Sequence, residues 1–328
     1  MFLTYGIPYL AGKGQTVRKT KTFGMEKPGE GQKRMTKTIE WPTLALLLLT
    51  YAIWIAATLW LAEVSVLAAI PVVAVSVALH SSLQHEVLHG HPFQDARLNT
   101  LLVSPSLSLV IPYLRFRDTH LAHHMDCELT DPYDDPETNF LDEGVWQRLP
   151  GWLRSVLNVN NTLAGRMVLG PLLGTLQFLV CEARTAWHDP RVLRGWLWHV
   201  PMVAPVIAWV IWSPMPFWAY ALAAYGGLSL LRIRTFLEHQ AHEKSRARSV
   251  IIEDRGPLAF LFLNNNLHVV HHMHPRVAWY QLPRLYRQNR ERYRNLNDGY
   301  VYRSYAEVFR KHLFSQKDPV AHPLWRRG

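Results

Sequence analysis

Two long stretches of the chain are almost free of charged residues and predict pairs of membrane-crossing helices. Between Trp41 and Gln84 the single formal charge is Glu63, and between Gly195 and Leu231 there is none. Because about 20 apolar residues cross the ~30 Å hydrocarbon core, each stretch accommodates two crossings. The predicted crossings, with turns at Glu63 and at the Pro-interrupted segment 213–216, are residues 43–62, 64–83, 195–212 and 217–234.

Two further uncharged stretches are shorter and contain proline. Leu98–Leu114 includes Pro105 and Pro112, and Met167–Cys181 includes Pro171. Each stretch is short for a crossing, and a proline inside a helix removes a backbone hydrogen bond. We therefore predict that both stretches lie at the membrane interface or enter the bilayer without crossing it.

The distribution of basic residues gives the orientation. Neither predicted turn contains Lys or Arg, whereas basic residues are frequent in the N-terminal segment, in the 84–194 connection and after Arg232. By the positive-inside rule these three parts lie on the cytoplasmic side. We therefore predict an all-α, multi-pass integral membrane protein with two helical hairpins, cytoplasmic termini and a cytoplasmic helical cap. Its parts are a basic tail over 1–40, a membrane domain over 41–315 and a C-terminal tail over 316–328.

The net charge of +10 indicates an anionic partner, for which nucleic acid and membrane lipid are the usual candidates. The basic residues flank long apolar stretches, which favours a lipid surface and argues against a nucleic-acid-binding function. Uncharged stretches of this length also exclude an ordinary soluble enzyme, in which charged and apolar positions alternate.

Eight of the 17 histidines fall in three short motifs with helical spacing. The first motif is HEVLH at 85–89, the second is HLAHH at 120–124 and the third is HVVHH at 268–272. Side chains three or four positions apart share one face of a helix, so each motif can direct its imidazoles towards a common point. All three motifs lie on the predicted cytoplasmic side, which places the histidines in the predicted cap.

Imidazole is a ligand for zinc, copper, iron and nickel. Eight imidazoles are too many for a single zinc, which takes about three or four protein ligands, so two ions of higher coordination number fit better. The first motif also matches H-E-x-x-H, a metalloprotease signature in which the glutamate is the base. That alternative leaves the other two motifs unused. A metal-binding transporter is a further alternative, but it would place ionisable ligands at mid-membrane depth.

The motifs and their surroundings resemble the membrane fatty acid desaturase superfamily, over roughly residues 42–315. The second motif lies within RDTHLAHH and precedes an acidic run, 131–137. The third motif continues as MHP at 273–275 and then as WYQLP at 279–283. The resemblance implies a non-haem di-iron centre, bound by the motif histidines at the cytosolic face of four crossings.

The resemblance also implies a further ligand just past the last crossing. His239 is the residue at that place, and His242 is the alternative. The ligand set implied in full is His85, His89, His120, His123, His124, His239, His268, His271 and His272. No catalytic residue beyond these ligands is implied. Carboxylates are expected to orient the imidazoles. The foremost candidates are Asp118 and Glu238, and the others are Glu86, Asp131, Asp134 and Asp135.

The function that the resemblance implies is an O₂-dependent oxidase that introduces a double bond into a fatty acyl chain. The sequence lacks the His-Pro-Gly-Gly signature of a fused haem domain, which implies that two electrons come from a separate ferredoxin- or cytochrome-like donor. The alternative is a lipid or carotenoid hydroxylase or ketolase of the same superfamily, because these enzymes share the motifs. The acyl carrier, the chain length and the position of the double bond stay open.

Overall fold

The computed structural model describes residues 39–126 and 128–325, so the predicted tail over 1–40 lies outside the described residues except for its last two. Helices dominate the described chain. In chain order, the helices up to residue 235 are α1 (Trp41–Ala56), α2 (Ala62–Val64), α3 (Val66–Leu88), α4 (Ala96–Val103), α5 (Tyr113–Met125), α6 (Glu143–Arg148), α7 (Gly151–Asn160), α8 (Leu163–Thr185), α9 (Pro190–Trp212) and α10 (Phe217–Thr235). The later ones are α11 (Pro257–Leu261), α12 (His268–Met273), α13 (Leu282–Gln288), α14 (Arg290–Leu296) and α15 (Tyr305–His312).

Four helical segments are long and apolar enough to cross a membrane. They are Trp41–Val64, Val66–Leu88, Leu163–Thr185 and Pro190–Trp212. This finding confirms the predicted class, an all-α protein with four candidate membrane-spanning helices. The four differ in one member from the predicted crossings, because they include α8 and not α10.

The first two candidate helices follow each other with a very short connection. α1 and α2 form one continuous segment, since a π-helical turn at Ala57–Leu61 joins them. The chain turns at Ser65, two residues after the predicted turn. The Ser65 hydroxyl accepts a hydrogen bond from the backbone N–H of Ala68 and so caps the N-terminus of α3.

The segment Met167–Cys181, predicted to be interfacial or re-entrant, lies inside the continuous helix α8, which is long and apolar enough to cross a membrane. Its interfacial placement stays a prediction. Pro171 is within the helix and does not end it. A proline deprives the carbonyl four residues earlier, here that of Met167, of its helical partner. The Ser229 hydroxyl on α10 donates to this carbonyl at 2.6 Å and replaces the missing bond.

The predicted crossing 217–234 corresponds to α10, which is less apolar than the four candidates because Arg232 and Arg234 lie in its last turn. α10 packs along both α3 and α8 and is therefore enclosed by other helices. Gly227 permits this approach, since a Cβ there would lie 2.7 Å from Cβ of Val77 on α3.

A buried ion pair fixes α5, which bears the second histidine motif, to two long helices. The guanidinium of Arg115 donates to both carboxylate oxygens of Glu182 on α8, at 2.8 and 3.1 Å. The indole N–H of Trp196 on α9 donates to the same carboxylate at 3.0 Å. Charge-assisted bidentate bonds of this kind hold a defined geometry, so α5 has a fixed position over the helix bundle.

The segments after α10 return to the part of the molecule that contains α5 and the C-terminal end of α3. Two short strands, β1 (Ile251–Ile252) and β2 (Val301–Tyr302), pair in parallel and hold the loops around the third motif together. The described part of the predicted C-terminal tail, 316–325, is packed on the fold. Ala321 forms a bridge with Leu141, and Nε2 of His322 lies 3.1 Å from Oγ1 of Thr130.

Candidate metal centre

The nine histidines named from the sequence lie in two adjoining groups. Within each group, one ligand atom from every member lies within 4.8 Å of the others. Group one has five members, His85, His89, His120, His124 and His271. Group two has four members, His123, His239, His268 and His272. The structure therefore brings all nine together, but at two points rather than one.

Helical spacing explains how the motifs divide between the groups. The i and i+4 positions of the second motif, on α5, belong to group one, whereas its i+3 position, His123, belongs to group two. The third motif, on α12, divides in the opposite way. Its i and i+4 positions belong to group two and its i+3 position, His271, belongs to group one. Each helix thus contributes to both groups, which keeps the groups adjacent.

The ring nitrogens have the separations expected around a metal ion. In group one, Nε2 of His124 lies 3.0 Å from Nε2 of His120 and 3.1 Å from Nε2 of His271. In group two, Nε2 of His268 lies 3.1 Å from Nε2 of His239. Two metal–imidazole bonds of about 2.1 Å at a right angle place their nitrogens roughly 3 Å apart. The separations therefore fit neighbouring ligands in a coordination shell of more than four positions.

Two carboxylates from the acidic run after the second motif orient rings of α5. Nδ1 of His120 lies 2.9 Å from Oε1 of Glu137, and Nδ1 of His123 lies 2.7 Å from Oδ1 of Asp135. All four side chains are buried. A carboxylate that accepts the Nδ1–H leaves the lone pair on Nε2, which is the atom that each ring directs into its group.

Burial and the neighbouring charges give the two rings different charge states. Burial and the neighbouring histidines hold the pKa of His120 well below its usual range, so this ring is neutral and suited to a metal ion. Burial also acts to lower the pKa of His123, but the carboxylates of Asp135 and Glu137 outweigh it and raise that pKa to about 9. A metal ion that binds at His123 therefore displaces a proton.

Glu238, a predicted orienting carboxylate, reaches the third motif through an amide. Nδ2 of Asn265 donates to Oε1 of Glu238 at 3.0 Å, which turns its Oδ1 towards Nδ1 of His268 at 3.2 Å. Nε of Arg234 lies 2.9 Å from the same carboxylate. The direct distance from Nδ1 of His268 to Glu238 is 4.0 Å, so Asn265 is the residue that contacts the ring.

Asp118, the other predicted orienting carboxylate, contacts no imidazole in the described part of the chain. Its carboxylate lies 2.8 Å from the guanidinium of Arg117 and 3.6 Å from that of Arg115. The physical reason is helix geometry, because a residue two positions before His120 is rotated by about 200° and lies on the opposite face. The residues that orient the rings instead come from loops, and the acidic run was the one sequence signal that pointed to them.

His239 is the ninth member, and the loop after α10 places it. Its backbone forms a bridge with Ser249, and its Nδ1 lies 3.3 Å from the Ser249 hydroxyl. His242, the alternative from the sequence, lies outside both groups, with its Nε2 3.6 Å from Asp298. The structure therefore associates His239, and not His242, with the other histidines.

Two atoms of group one show that a ligand fits there. Nε2 of His85 and Nε2 of His89 are buried and have no hydrogen-bond partner in the described chain. A buried nitrogen without a partner costs about 1–3 kcal/mol, and a bound metal ion removes that cost.

Glu86 is the base in the metalloprotease alternative. Its carboxylate accepts a hydrogen bond at 3.0 Å from the backbone N–H of Trp279. The donor set as a whole, nine imidazoles, suits iron among other transition metals.

The fold and the site together define a helical membrane protein with two histidine groups, each of which could hold a metal ion. The family model described as fatty acid desaturase matches residues 58–304, which include all three motifs. The chain therefore belongs to the fatty acid desaturase family, and the superfamily resemblance is confirmed. A comparison with curated proteins finds no match. Family membership and the histidine groups suggest a membrane oxidase with a di-iron centre.

Proposed function

We propose that this protein introduces a double bond into a fatty acyl chain. In the net reaction, two adjacent methylene groups each lose one hydrogen, and O₂ is reduced to two molecules of water. Two electrons from a separate donor and two protons from solvent complete the balance. The convergence of nine histidines in two adjoining groups is the observation that supports this proposal, together with the family match.

The histidines of group one would hold one iron and those of group two a second. When bound, the irons supply the O₂-dependent oxidation that breaks an unactivated C–H bond, which acid–base groups cannot do. The chain's own residues supply the rest. Asp135, Glu137 and Asn265 hold rings in the orientation that directs Nε2 inwards, and the burial of most of the nine rings limits access of bulk water.

The surrounding helices suit a substrate that partitions into a bilayer. The exposed surfaces of the candidate spanning helices are rich in large apolar side chains, such as Leu48, Leu67 and Leu197. An acyl chain dissolved in the membrane can therefore reach the helix bundle without passing through water. The histidine groups lie where α3 ends, so a chain that enters between helices approaches them from the apolar side.

We also propose that both termini and both histidine groups face the cytoplasm, with electrons delivered by a ferredoxin- or cytochrome-like protein. The positive-inside distribution supports this orientation. A contact supports the common side: Ala321, near the C-terminus, pairs with Leu141, which closely follows the loop containing Asp135 and Glu137. The C-terminal segment therefore lies at the same end of the molecule as the histidines.

The second candidate function is hydroxylation or ketone formation on a lipid or carotenoid. The same site geometry supports it, because the two outcomes differ in whether a second hydrogen leaves the substrate or oxygen is added to it. A decisive experiment is expression in a host that makes only saturated and monounsaturated lipids, followed by mass spectrometry of its lipids. A new alkene supports desaturation, and a new hydroxyl or ketone supports the alternative. Acyl chains and carotenoids that are unchanged from the empty-vector control would contradict both.

A further inference from the structure

A cavity of about 50 Å³ lies between α3, α5, α8 and α10. Part of its wall is apolar and consists of Ile111, Phe116, Leu228 and Leu231. It adjoins group one, because the ring of Phe116 also contacts the ring of His120 with 5.8 Å between centroids. A chain of methylene groups in this cavity would therefore lie beside the candidate metal centre.

The same cavity contains an uncompensated positive charge. Arg232 is 7% exposed, lines the cavity, and makes no hydrogen bond or ion pair through its guanidinium with any described residue. Arg234 and Thr235 also line it, and Nη1 of Arg234 and Oγ1 of Thr235 are buried without a hydrogen-bond partner in the described chain. No carboxylate is among the lining residues in the described chain. The other polar lining residues, Ser81, Gln84, Ser108 and Thr175, are neutral, so the described chain provides no negative charge here to balance Arg232.

A buried guanidinium without an anion is costly, so a ligand that supplies the anion is favoured. The planar fork of arginine matches a carboxylate, which it can bind through two parallel hydrogen bonds. Arg234 is partly neutralised, because its Nε lies 2.9 Å from Glu238. Arg232 has no such partner and is therefore the stronger attachment point for an anion.

We propose that this cavity binds the carboxylate of an unesterified long-chain fatty acid, with Arg232 as the carboxylate-binding residue. The apolar wall accommodates the first methylenes of the chain, and Phe116 separates them from group one. This inference rests on the proposed function and specifies its substrate class. An ester, a thioester or an alkane lacks the negative charge that Arg232 requires, so such compounds bind this cavity less well than the free acid.

The test is equilibrium binding of radiolabelled palmitate to the purified protein in nanodiscs of phosphatidylcholine, without an electron donor. With the wild-type protein, unlabelled palmitate competes at least about 10-fold better than methyl palmitate or palmitoyl-CoA, because a charged hydrogen-bonded pair is lost with the esters. This comparison needs no variant. Equal competition by the methyl ester would overturn the proposal.

Variants then locate the contact. Arg232→Gln weakens palmitate binding by about 10-fold or more and leaves the weaker binding of methyl palmitate unchanged. Arg232→Lys keeps the charge and retains part of the affinity. The control is Arg194→Gln, an exposed arginine on α9, which binds palmitate as the wild type does. Unchanged palmitate binding in Arg232→Gln, or an equal loss for acid and ester, would overturn the role of Arg232.

Binding without turnover also keeps this inference distinct from the proposed function. Carboxylate-dependent binding that needs Arg232, together with no new double bond in the expression experiment, would contradict the desaturase proposal alone. A new double bond together with binding that ignores the carboxylate would overturn the carboxylate site alone.

Discussion

The two histidine groups are constructed differently. Four of the five rings of group one form two i,i+4 pairs, one at the end of α3 and one on α5, so regular helices of 23 and 13 residues set their positions. Group two has a single such pair, on the six-residue helix α12. Its other members are His123, from α5, and His239, from the loop after α10.

Group two compensates for its irregular backbone with hydrogen bonds. Asp135 contacts His123, Asn265 contacts His268 and Ser249 contacts His239. In group one, Glu137 is the one carboxylate among the described residues that is hydrogen-bonded to a ring. Helix geometry therefore positions most of group one, and polar contacts from loops position group two. The comparison predicts that both groups are equally necessary for activity but differ in their sensitivity to the residues around them.

The largest expected effect is the loss of one ring from either group. His271→Ala in group one and His268→Ala in group two each reduce product formation by more than about 100-fold, since a lost ligand costs more than a lost orienting contact. The matched control is His242→Ala, which removes an imidazole outside both groups. Lipid profiling after expression measures all three. Retained activity in either ligand variant would show that its group is not needed for the reaction.

The next largest effect separates the groups through their carboxylates. Asp135→Asn weakens metal binding in group two, and Glu137→Gln weakens it in group one, each by about 10–100-fold. In a titration with chelator, each variant is expected to lose one of its two metal ions at a lower chelator concentration than the wild type, and to retain the other as the wild type does. Asp118→Asn, which contacts arginines rather than a ring, serves as the control and leaves both ions as firmly bound as in the wild type. Equal loss of metal in all three variants would contradict the claim that Asp135 and Glu137 each stabilise a different histidine group.

The smallest effect is expected at Ser249. Its hydroxyl lies 3.3 Å from Nδ1 of His239, and a neutral hydrogen bond contributes about 0.5–1.5 kcal/mol. Ser249→Ala should therefore weaken one metal ion by about 10-fold at most in the same chelator titration. A loss as large as that of Asp135→Asn would indicate that Ser249 has a greater part in positioning His239 than this contact suggests.

The sequence predicted the parts of the site that depend on local periodicity. The i,i+3 and i,i+4 spacings identified the eight motif histidines, and the family resemblance added His239. Spacing did not predict the division into two groups, because which face of α5 and of α12 meets which neighbour depends on tertiary packing. Asp118 is the opposite case, because helix geometry alone places it on the face of α5 opposite His120, where it contacts Arg115 and Arg117.

The remaining differences have their causes in contacts between distant segments. Asp135 and Asn265 lie in loops, whose paths are not fixed by periodicity. Pro171 suggested an interrupted segment, but the Ser229 hydroxyl on α10 satisfies the carbonyl that the proline frees. In the same way, the two arginines near the end of α10 line a cavity between helices and do not face lipid, and Arg234 is paired with Glu238. Sequence patterns indicated the membrane class and the histidines that converge, and packing between helices determined how these histidines are grouped.

The most direct test of the account is the iron content of the purified protein. We expect about two irons per chain in the wild type, and about one in His272→Ala, which removes a ring from group two and leaves group one complete. Elemental analysis by mass spectrometry, with protein determined by amino-acid analysis, gives both values. A single metal ion per chain in the wild type, or zinc in place of iron, would contradict the assignment of two iron sites.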